Sequence, residues 1–153
     1  MGQPGRSAAL EPLGAFVGAW SMEALFPQAP PTGIRGRTVF EWMPGERFLL
    51  QRWDVPHPDA PDGIAIIGFD EGQGSYVQHY FDSRGVARLY EMSFDDGVWK
   101  LWRTSADFSP LDFSQRFTGT FSGDGARIDG RWESSPDGTN WEHDFDLTYT
   151  KEE

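Results

Sequence analysis

The chain has 153 residues, of which 38% are hydrophobic; its 12 Phe and 7 Trp are enough apolar material for a sizeable core and exclude a disordered chain. The formal net charge of −11 argues against a nucleic-acid partner and against an anionic membrane surface. Because the chain has no cysteine, disulfide bonds and thiolate metal sites are excluded.

The N-terminal segment is polar. Residues 1–7 are expected to form a disordered tail before a single domain over residues 8–151. The first ten residues hold one Arg and no apolar run, so we expect no signal peptide, and no stretch has the apolar length of a membrane span. A cytoplasmic protein is the default expectation.

A short helix or 3₁₀ turn is predicted after the tail, because apolar residues recur there at roughly helical spacing and Pro12 stands near the start. This element is expected to close one end of the fold. The apolar residues that form the pattern are Leu10, Leu13, Phe16 and Val17.

From Gly18 onward the hydrophobic pattern has a period of two, and Gly and Pro recur too often for helices. The 18 Gly and 11 Pro suit a turn-rich, all-β chain. The pattern predicts ten strands, over residues 18–26, 34–42, 47–55, 63–70, 75–82, 86–94, 98–104, 113–122, 126–134 and 139–150.

The connections between these strands alternate between short and long. In an up-and-down meander, alternate connections lie at opposite ends, so the sequence predicts an antiparallel barrel with a closed floor and an open mouth. Barrels of this kind hold small molecules. The tight turns are at residues 43–46, 71–74, 95–97 and 123–125, and the longer loops at 27–33, 56–62 and 105–112.

The turn at residues 96–97 determines which side chains face the barrel interior. A two-residue turn of the primed type places Phe94 opposite Trp99 and Met92 opposite Leu101. This phase is much more apolar than the alternative, so it is expected to face inward.

The same phase continues toward the mouth and reaches polar residues. Tyr90 is predicted to face inward opposite Arg103. When the phase is carried through a four-residue turn at 82–85, His79 pairs with Arg88, and both also face inward.

The last three strands are interpreted in the same way. A tight turn at residues 124–125 places Phe117 opposite Trp132 on the inner face. A four-residue loop at 135–138 then places Trp141 opposite Trp132, also inside. Gln115 shares the inward phase.

His143 is predicted to lie inside, beside Gly119 and Gly130, and the two glycines are expected to leave a hollow next to its imidazole. The inner face of strands 34–42 and 47–55 stays open. Phe40, Trp42, Leu49 and Trp53 share one face, and Val39, Phe48 and Leu50 share the other.

These polar residues predict a ligand site in the upper barrel. Unpaired arginines are costly to bury dry, so either water or a ligand with an anionic or carbonyl group is expected there. Pairing of the arginines with loop acids such as Asp54, Asp59, Asp62 or Asp107 is the alternative. The candidate ligand-binding residues are His79, Arg88, Tyr90, Arg103, Gln115, His143, Trp132 and Trp141.

Other chemistries have weaker support in the sequence. The three histidines lack close metal-ligand spacing, and His57 stands in a Pro-rich loop, so no metal site is expected. No nucleophile elbow is present. A histidine next to Arg88 would suit acid/base chemistry in a closed pocket.

Several motifs indicate a family. Gly18-Ala19-Trp20 resembles the opening of lipocalins and other calycins. Nearly all of residues 8–151 resembles an uncharacterised bacterial family of lipocalin-like domains, which implies a ten-stranded barrel. The other segments that carry this resemblance are residues 43–48, 67–70, 76–77, 81–83 and 147–151.

The nitrobindins, which bind haem, are similar in architecture. Their last strand carries the iron-ligating histidine five residues before a Tyr. If Tyr149 is superposed on that Tyr, this chain has Asp144 at the ligand position, and His143 is one place away on the opposite face. The resemblance therefore implies no haem here unless the strand carries a bulge, and we expect no cofactor.

The first functional hypothesis is a barrel that binds a small hydrophobic or amphipathic molecule, with an anionic or carbonyl group near the arginines. One alternative is an enzyme of the cyclase or isomerase type that uses His79 or His143 as acid/base. A haem-binding nitrobindin relative is the second alternative. The sequence leaves a homodimer open.

Overall fold

Ten strands and one short 3₁₀ helix form the described part of the chain, residues 8–27, 33–58, 60–108 and 110–152 of the computed structural model. The tail predicted over residues 1–7 lies outside the described residues. The 3₁₀ helix spans Glu11–Phe16, and the strands are β1 (Gly18–Leu25), β2 (Ile34–Trp42), β3 (Leu49–Asp54), β4 (Gly63–Asp70), β5 (Ser75–Asp82), β6 (Ala87–Asp95), β7 (Val98–Arg103), β8 (Ser114–Phe121), β9 (Arg127–Ser135) and β10 (Glu142–Lys151).

The strands close into a barrel. Each strand pairs with its sequence neighbours in antiparallel orientation, and β1 pairs with β10. At that seam Met22 lies opposite Tyr149, and Ala24 lies opposite Leu147. Closure leaves none of the ten described strands with an unpaired edge. The predicted up-and-down barrel of ten strands is confirmed, and the bounds of each strand lie within three residues of the predicted ones.

The 3₁₀ helix plugs the end of the barrel that carries the tight turns. The ring of Phe16 is fully buried and packs 5.0 Å from the ring of Phe94 and 4.9 Å from that of Trp99. Trp20 Nε1 donates a hydrogen bond to the Phe16 carbonyl at 2.8 Å, and the Tyr76 hydroxyl donates to the Ala9 carbonyl. Burial of a ring such as that of Phe16 contributes about 1.5–3 kcal/mol, so the helix is a stable floor.

The register predicted for two of the hairpins is confirmed. Phe94 lies opposite Trp99 and Met92 opposite Leu101 on β6 and β7. On β8 and β9, Phe117 lies opposite Trp132, and all of these side chains face the interior. The inner face of β2 and β3, which the sequence left open, is the one with four residues in or against the core: Phe40, Trp42, Leu49 and Trp53.

The turn between β5 and β6 has one residue fewer than predicted. The backbone N–H of Asp82 donates to the Val86 carbonyl at 3.0 Å, so the loop contains residues 83–85 only. Gly85 has a φ of +84°, the left-handed conformation that commonly ends a three-residue hairpin loop.

This shorter loop reverses the two faces of β5. Tyr80, not His79, lies opposite Arg88. Gln78 and Tyr80 therefore face the interior, and His79 lies on the exposed outer face. The prediction that His79 points inward is wrong, because a one-residue change in register exchanges the faces of a strand.

The connection between β9 and β10 is longer than predicted. Phe145 lies opposite Trp132, and Leu147 lies opposite Gly130. The carboxylate of Asp137 organises the added residues by accepting the backbone N–H groups of Thr139 and Asn140, both at 2.8 Å.

The longer loop moves Trp141 to the outer surface, so the prediction that it faces inward is wrong. Its ring lies 4.1 Å from the guanidinium carbon of Arg116. A β-bulge follows between His143 and Phe145. His143 is also not inside as predicted, since its Nε2 lies 2.9 Å from Oδ1 of Asp146.

Candidate functional site

A cavity of about 440 Å³ lies between the plugged floor and the longer loops. Strands β1, β2 and β10 contribute mainly apolar side chains to its wall. On the other side, β5, β6 and β8 contribute polar ones, and the inner end is aromatic. The polar side chains that these three strands contribute are Gln78, Tyr80, Arg88, Tyr90 and Gln115.

Arg88 is a cation in this wall. Its Nη1 donates to Oε1 of Gln115 at 3.1 Å, and its guanidinium carbon lies 5.6 Å from the ring centre of Phe113. Among the described residues, no carboxylate forms an ion pair with Arg88. A guanidinium in this position is suited to bind both oxygens of a carboxylate.

The Gln115 amide holds two polar side chains of the cavity together. Its Oε1 also accepts the hydroxyl of Tyr90, at 2.9 Å. Burial raises the pKa of Tyr90, and the bond with Arg88 partly opposes that rise. The Tyr90 hydroxyl is therefore a neutral donor, and the amide fixes its position and that of Arg88.

Trp132 adds an aromatic surface beside this polar group. Its ring centre lies 5.7 Å from that of Tyr90 and 5.1 Å from that of Phe117. The structure thus brings together four of the eight candidate residues, namely Arg88, Tyr90, Gln115 and Trp132.

Arg103 has a structural partner instead. It faces the interior as predicted, but it forms an ion pair with Asp107 at 2.8 Å, with side chains 3% and 6% exposed. The hydrogen bond with Asp107 raises the pKa of Arg103. Arg103 is not among the described residues that line the cavity. Arg103 therefore pairs with a loop acid, which is the alternative that the sequence left open.

The three other candidates lie outside the barrel. His79 is exposed, with its ring centre 6.4 Å from that of Phe108. His143 and Trp141 lie on the outer side of the last hairpin. These three residues therefore cannot contact a molecule in the cavity.

A hydrogen-bonded group stands at the mouth of the cavity. The Tyr80 hydroxyl donates to Oδ2 of Asp82 at 2.6 Å, and Arg84 Nη2 donates to the same oxygen at 2.7 Å. Desolvation favours a higher pKa for Asp82, but the hydrogen bonds from Arg84 and Tyr80 outweigh it and lower that pKa. Asp82 is thus an ionised acceptor that fixes both neighbours.

Sequence reasoning missed several polar residues of the wall, among them Gln78, Tyr80 and Asp144. Gly85 was the available signal for the first two, because a glycine at the end of a Ser-Arg-Gly loop is typical of the three-residue turn. Nothing in the pattern marks the bulge that turns Asp144 toward the cavity.

The hollow predicted beside Gly119 and Gly130 is filled. A Cβ on Gly130 would come within 2.5 Å of the Phe117 ring, and one on Gly119 within 2.8 Å of the same ring. The glycines make room for Phe117, and His143 is not next to them.

The cavity wall does not fit haem as the nitrobindin resemblance would require. Among the described residues, no histidine lines the cavity, and the bulge places Asp144 there. The described residues also contain no cluster of metal-ligating side chains, and none of them lies in a helix with the length and hydropathy of a bilayer span.

Comparison with known proteins identifies a family. The family described as "Protein of unknown function (DUF1579)" matches residues 7–93. The match covers more than half of the chain, so the chain belongs to this family. The crystal structure of Rv2717c from M. tuberculosis is similar with a TM-score of 0.64 and 13% identity, over 96% of this chain and 99% of that one. That likeness shows the fold alone. Curated proteins give no match.

Proposed function

We propose that this member of the DUF1579 family is a lipocalin-like binding protein that holds one small, largely apolar molecule through a carboxylate or carbonyl group. The observation that carries the proposal is the position of Arg88. It stands in the wall of an interior cavity and has no carboxylate partner among the described residues.

The rest of the wall suits an apolar body. A volume of about 440 Å³ is typical of sites for small organic molecules. Trp132 and Phe145 stack with ring centres 6.4 Å apart, and Met22 and Leu147 line the same side. An aromatic or alkyl group would bury these surfaces, and each methylene removed from water contributes about 0.8 kcal/mol.

Local charge favours an acidic head group although the chain as a whole is acidic. Arg84 is neutralised by Asp82, whereas half-buried Arg88 contacts the oxygen of a neutral amide and an aromatic ring but no carboxylate of the described residues. A cation removed from water without a counter-charge is costly. A ligand carboxylate would supply that counter-charge.

The enzyme hypothesis loses the residues that supported it. His79 and His143 both lie on the outer face, so neither reaches a molecule in the cavity. Binding is therefore the function that the described geometry supports best.

Displacement of a dansylated fatty acid by a panel of alkyl and aromatic carboxylates tests the proposal. In Arg88→Met the affinity for carboxylates should fall by about 1.5–3 kcal/mol, the contribution of a charge-assisted hydrogen bond. The affinity for the matching methyl esters should change less.

Arg127→Met is the matched control, since Arg127 lies on the outer face and pairs with Asp129 at 2.8 Å. It removes the same charge away from the cavity and should leave binding unchanged. Equal losses in the two variants, or none in Arg88→Met, would contradict the proposal.

A further inference from the structure

Gln78 carries an unexplained polar group in the cavity wall. Its side chain is 4% exposed and lines the cavity. Its Oε1 has no hydrogen-bond partner among the described residues. A buried carbonyl oxygen without a donor destabilises a fold, so its presence calls for an explanation.

The other glutamines of the cavity are satisfied. Gln51 Nε2 donates to Oγ1 of Thr38 at 3.4 Å, and Oε1 of Gln115 accepts two donors. The unpaired oxygen of Gln78 is therefore not a general property of polar groups in this barrel.

One further buried side-chain atom of the described residues is unpaired, Nε1 of Trp99. Its case is different. The rings of Phe16 and Phe117 meet the Trp99 ring nearly edge-on at 4.9 Å, and a ring face is a weak acceptor for an indole N–H. An amide oxygen needs an N–H or O–H donor. The hydroxyl of Tyr90, which lies opposite Gln78, donates to Gln115 instead.

Gln78 lies deeper in the barrel than the arginine that binds the head group. Tyr80 is opposite Arg88, and Gln78 is opposite Tyr90, one inward-facing position nearer the floor. Two residues along a strand advance by about 6.6 Å. A ligand held at Arg88 would therefore reach Gln78 with its inner end.

We infer that the ligand is bifunctional, with a hydroxyl group at its inner end that donates to Oε1 of Gln78. This inference rests on the proposed function for the outer end of the molecule. The ligand class is then a small hydroxylated carboxylic acid with an apolar middle. A site built to accept a hydrogen bond rejects the analogue that lacks the donor, so Gln78 determines specificity.

The test compares ω-hydroxyalkanoates with plain alkanoates over a series of chain lengths, by displacement of a dansylated fatty acid. The wild-type protein should bind the hydroxylated acid about tenfold more tightly at the best length. Gln78→Met keeps the size of the side chain and should abolish that preference, so that the two acids bind with similar affinity. Its melting temperature should not fall, because an unpaired polar group is removed.

Gln73→Met is the matched control. It removes an exposed amide outside the cavity wall, so the hydroxyl preference should persist and the melting temperature should not change. If wild-type protein binds both acids equally, the inference is overturned and the proposed function stands.

A neutral probe, decan-1-ol, separates the two ideas further. If no acid binds but decan-1-ol binds and is weakened at least severalfold by Gln78→Met, the carboxylate proposal and the bifunctional ligand both fail, and only the hydrogen bond from a ligand hydroxyl to Gln78 stands. If neither class of probe binds, both are wrong. A hydroxyl preference that survives Gln78→Met overturns the inference even if the acids bind.

Discussion

Arg103, the last residue of β7, forms a bidentate ion pair with Asp107 in the loop that follows. Nε of Arg103 lies 2.8 Å from Oδ2 of Asp107, and Nη2 lies 2.9 Å from Oδ1. Oδ2 also accepts the backbone N–H of Leu89 at 2.7 Å, which fastens the loop to β6. Arg103 and Arg88 both face the interior. Arg103 pairs with a carboxylate, whereas Arg88 has no carboxylate partner among the described residues.

This contrast predicts opposite effects on stability. Arg103→Met leaves Asp107 buried without its cation and should lower the free energy of unfolding by about 3–5 kcal/mol. Arg88→Met removes a cation that has no carboxylate partner among the described residues, and stability should stay equal or rise slightly. Urea unfolding followed by tryptophan fluorescence measures both.

A second variant checks the cause. Arg103→Met combined with Asp107→Leu should recover part of the loss, because no unpaired carboxylate remains buried. If Arg88→Met destabilises as strongly as Arg103→Met, then Arg88 is a structural residue and the assignment of the ligand site is wrong.

The space above the paired glycines gives another prediction. A Cβ at Gly130 would approach the Leu147 carbonyl oxygen and the Phe117 ring to 2.5 Å. Backbone and a packed ring cannot move away cheaply, so Gly130→Ala should cost about 1–3 kcal/mol of stability. Gly123→Ala is the control, since nothing lies within 4 Å of a Cβ there. Thermal melts of the two variants should differ clearly, and equal melts would show that Phe117 does not occupy this space.

The hairpins show why part of the site was predictable from the sequence. A two-residue turn with Asp96 and Gly97, both at positive φ, admits one register, so the inward faces of β6 and β7 followed directly. Arg88, Tyr90 and Gln115 were identified from that phase and its continuation. Their inward positions depend on local turn chemistry and on a period of two.

The residues placed wrongly depend on loop lengths and strand registers that the local sequence pattern does not determine. The three-residue loop before Val86 and the Asp137-centred loop before β10 each change a register, and a change of one residue exchanges faces. The bulge at His143 is a third irregularity. Contacts between strands that form only in the folded protein, such as that of Arg116 with Trp141, are not encoded in these local patterns.

The corrected position of Trp141 has an optical consequence. Trp132 lines the cavity, whereas Trp141 lies outside under Arg116. Ligand-induced changes in tryptophan fluorescence should therefore shrink in Trp132→Phe and persist in Trp141→Phe. Trp53 and Trp99 also line the cavity, so the signal should not vanish in either variant. A signal lost in Trp141→Phe alone would restore the register first expected from the sequence.

Asp144 gives the protein a pH-dependent term in stability. Burial raises its pKa above 3.8, and the nearby His143 opposes that rise. Because the folded-state pKa is the higher one, the contribution of Asp144 to stability is fully present below pH 3.8 and is lost as the pH rises through the raised value. At pH 7 the folded protein therefore holds a partly desolvated carboxylate.

Asp144→Asn should accordingly be more stable than the wild-type protein at pH 7, and the difference should shrink as the pH falls toward 3.8. Denaturant unfolding of both proteins between pH 7 and pH 4 measures it. Glu91→Gln is the control, because it removes the same charge from an exposed position on β6. A gain that is equal in both variants would reflect only the reduction of the net charge from −11. A loss of stability in Asp144→Asn at pH 7 would mean that the ionised carboxylate has a partner, and that β10 does not turn it toward the cavity.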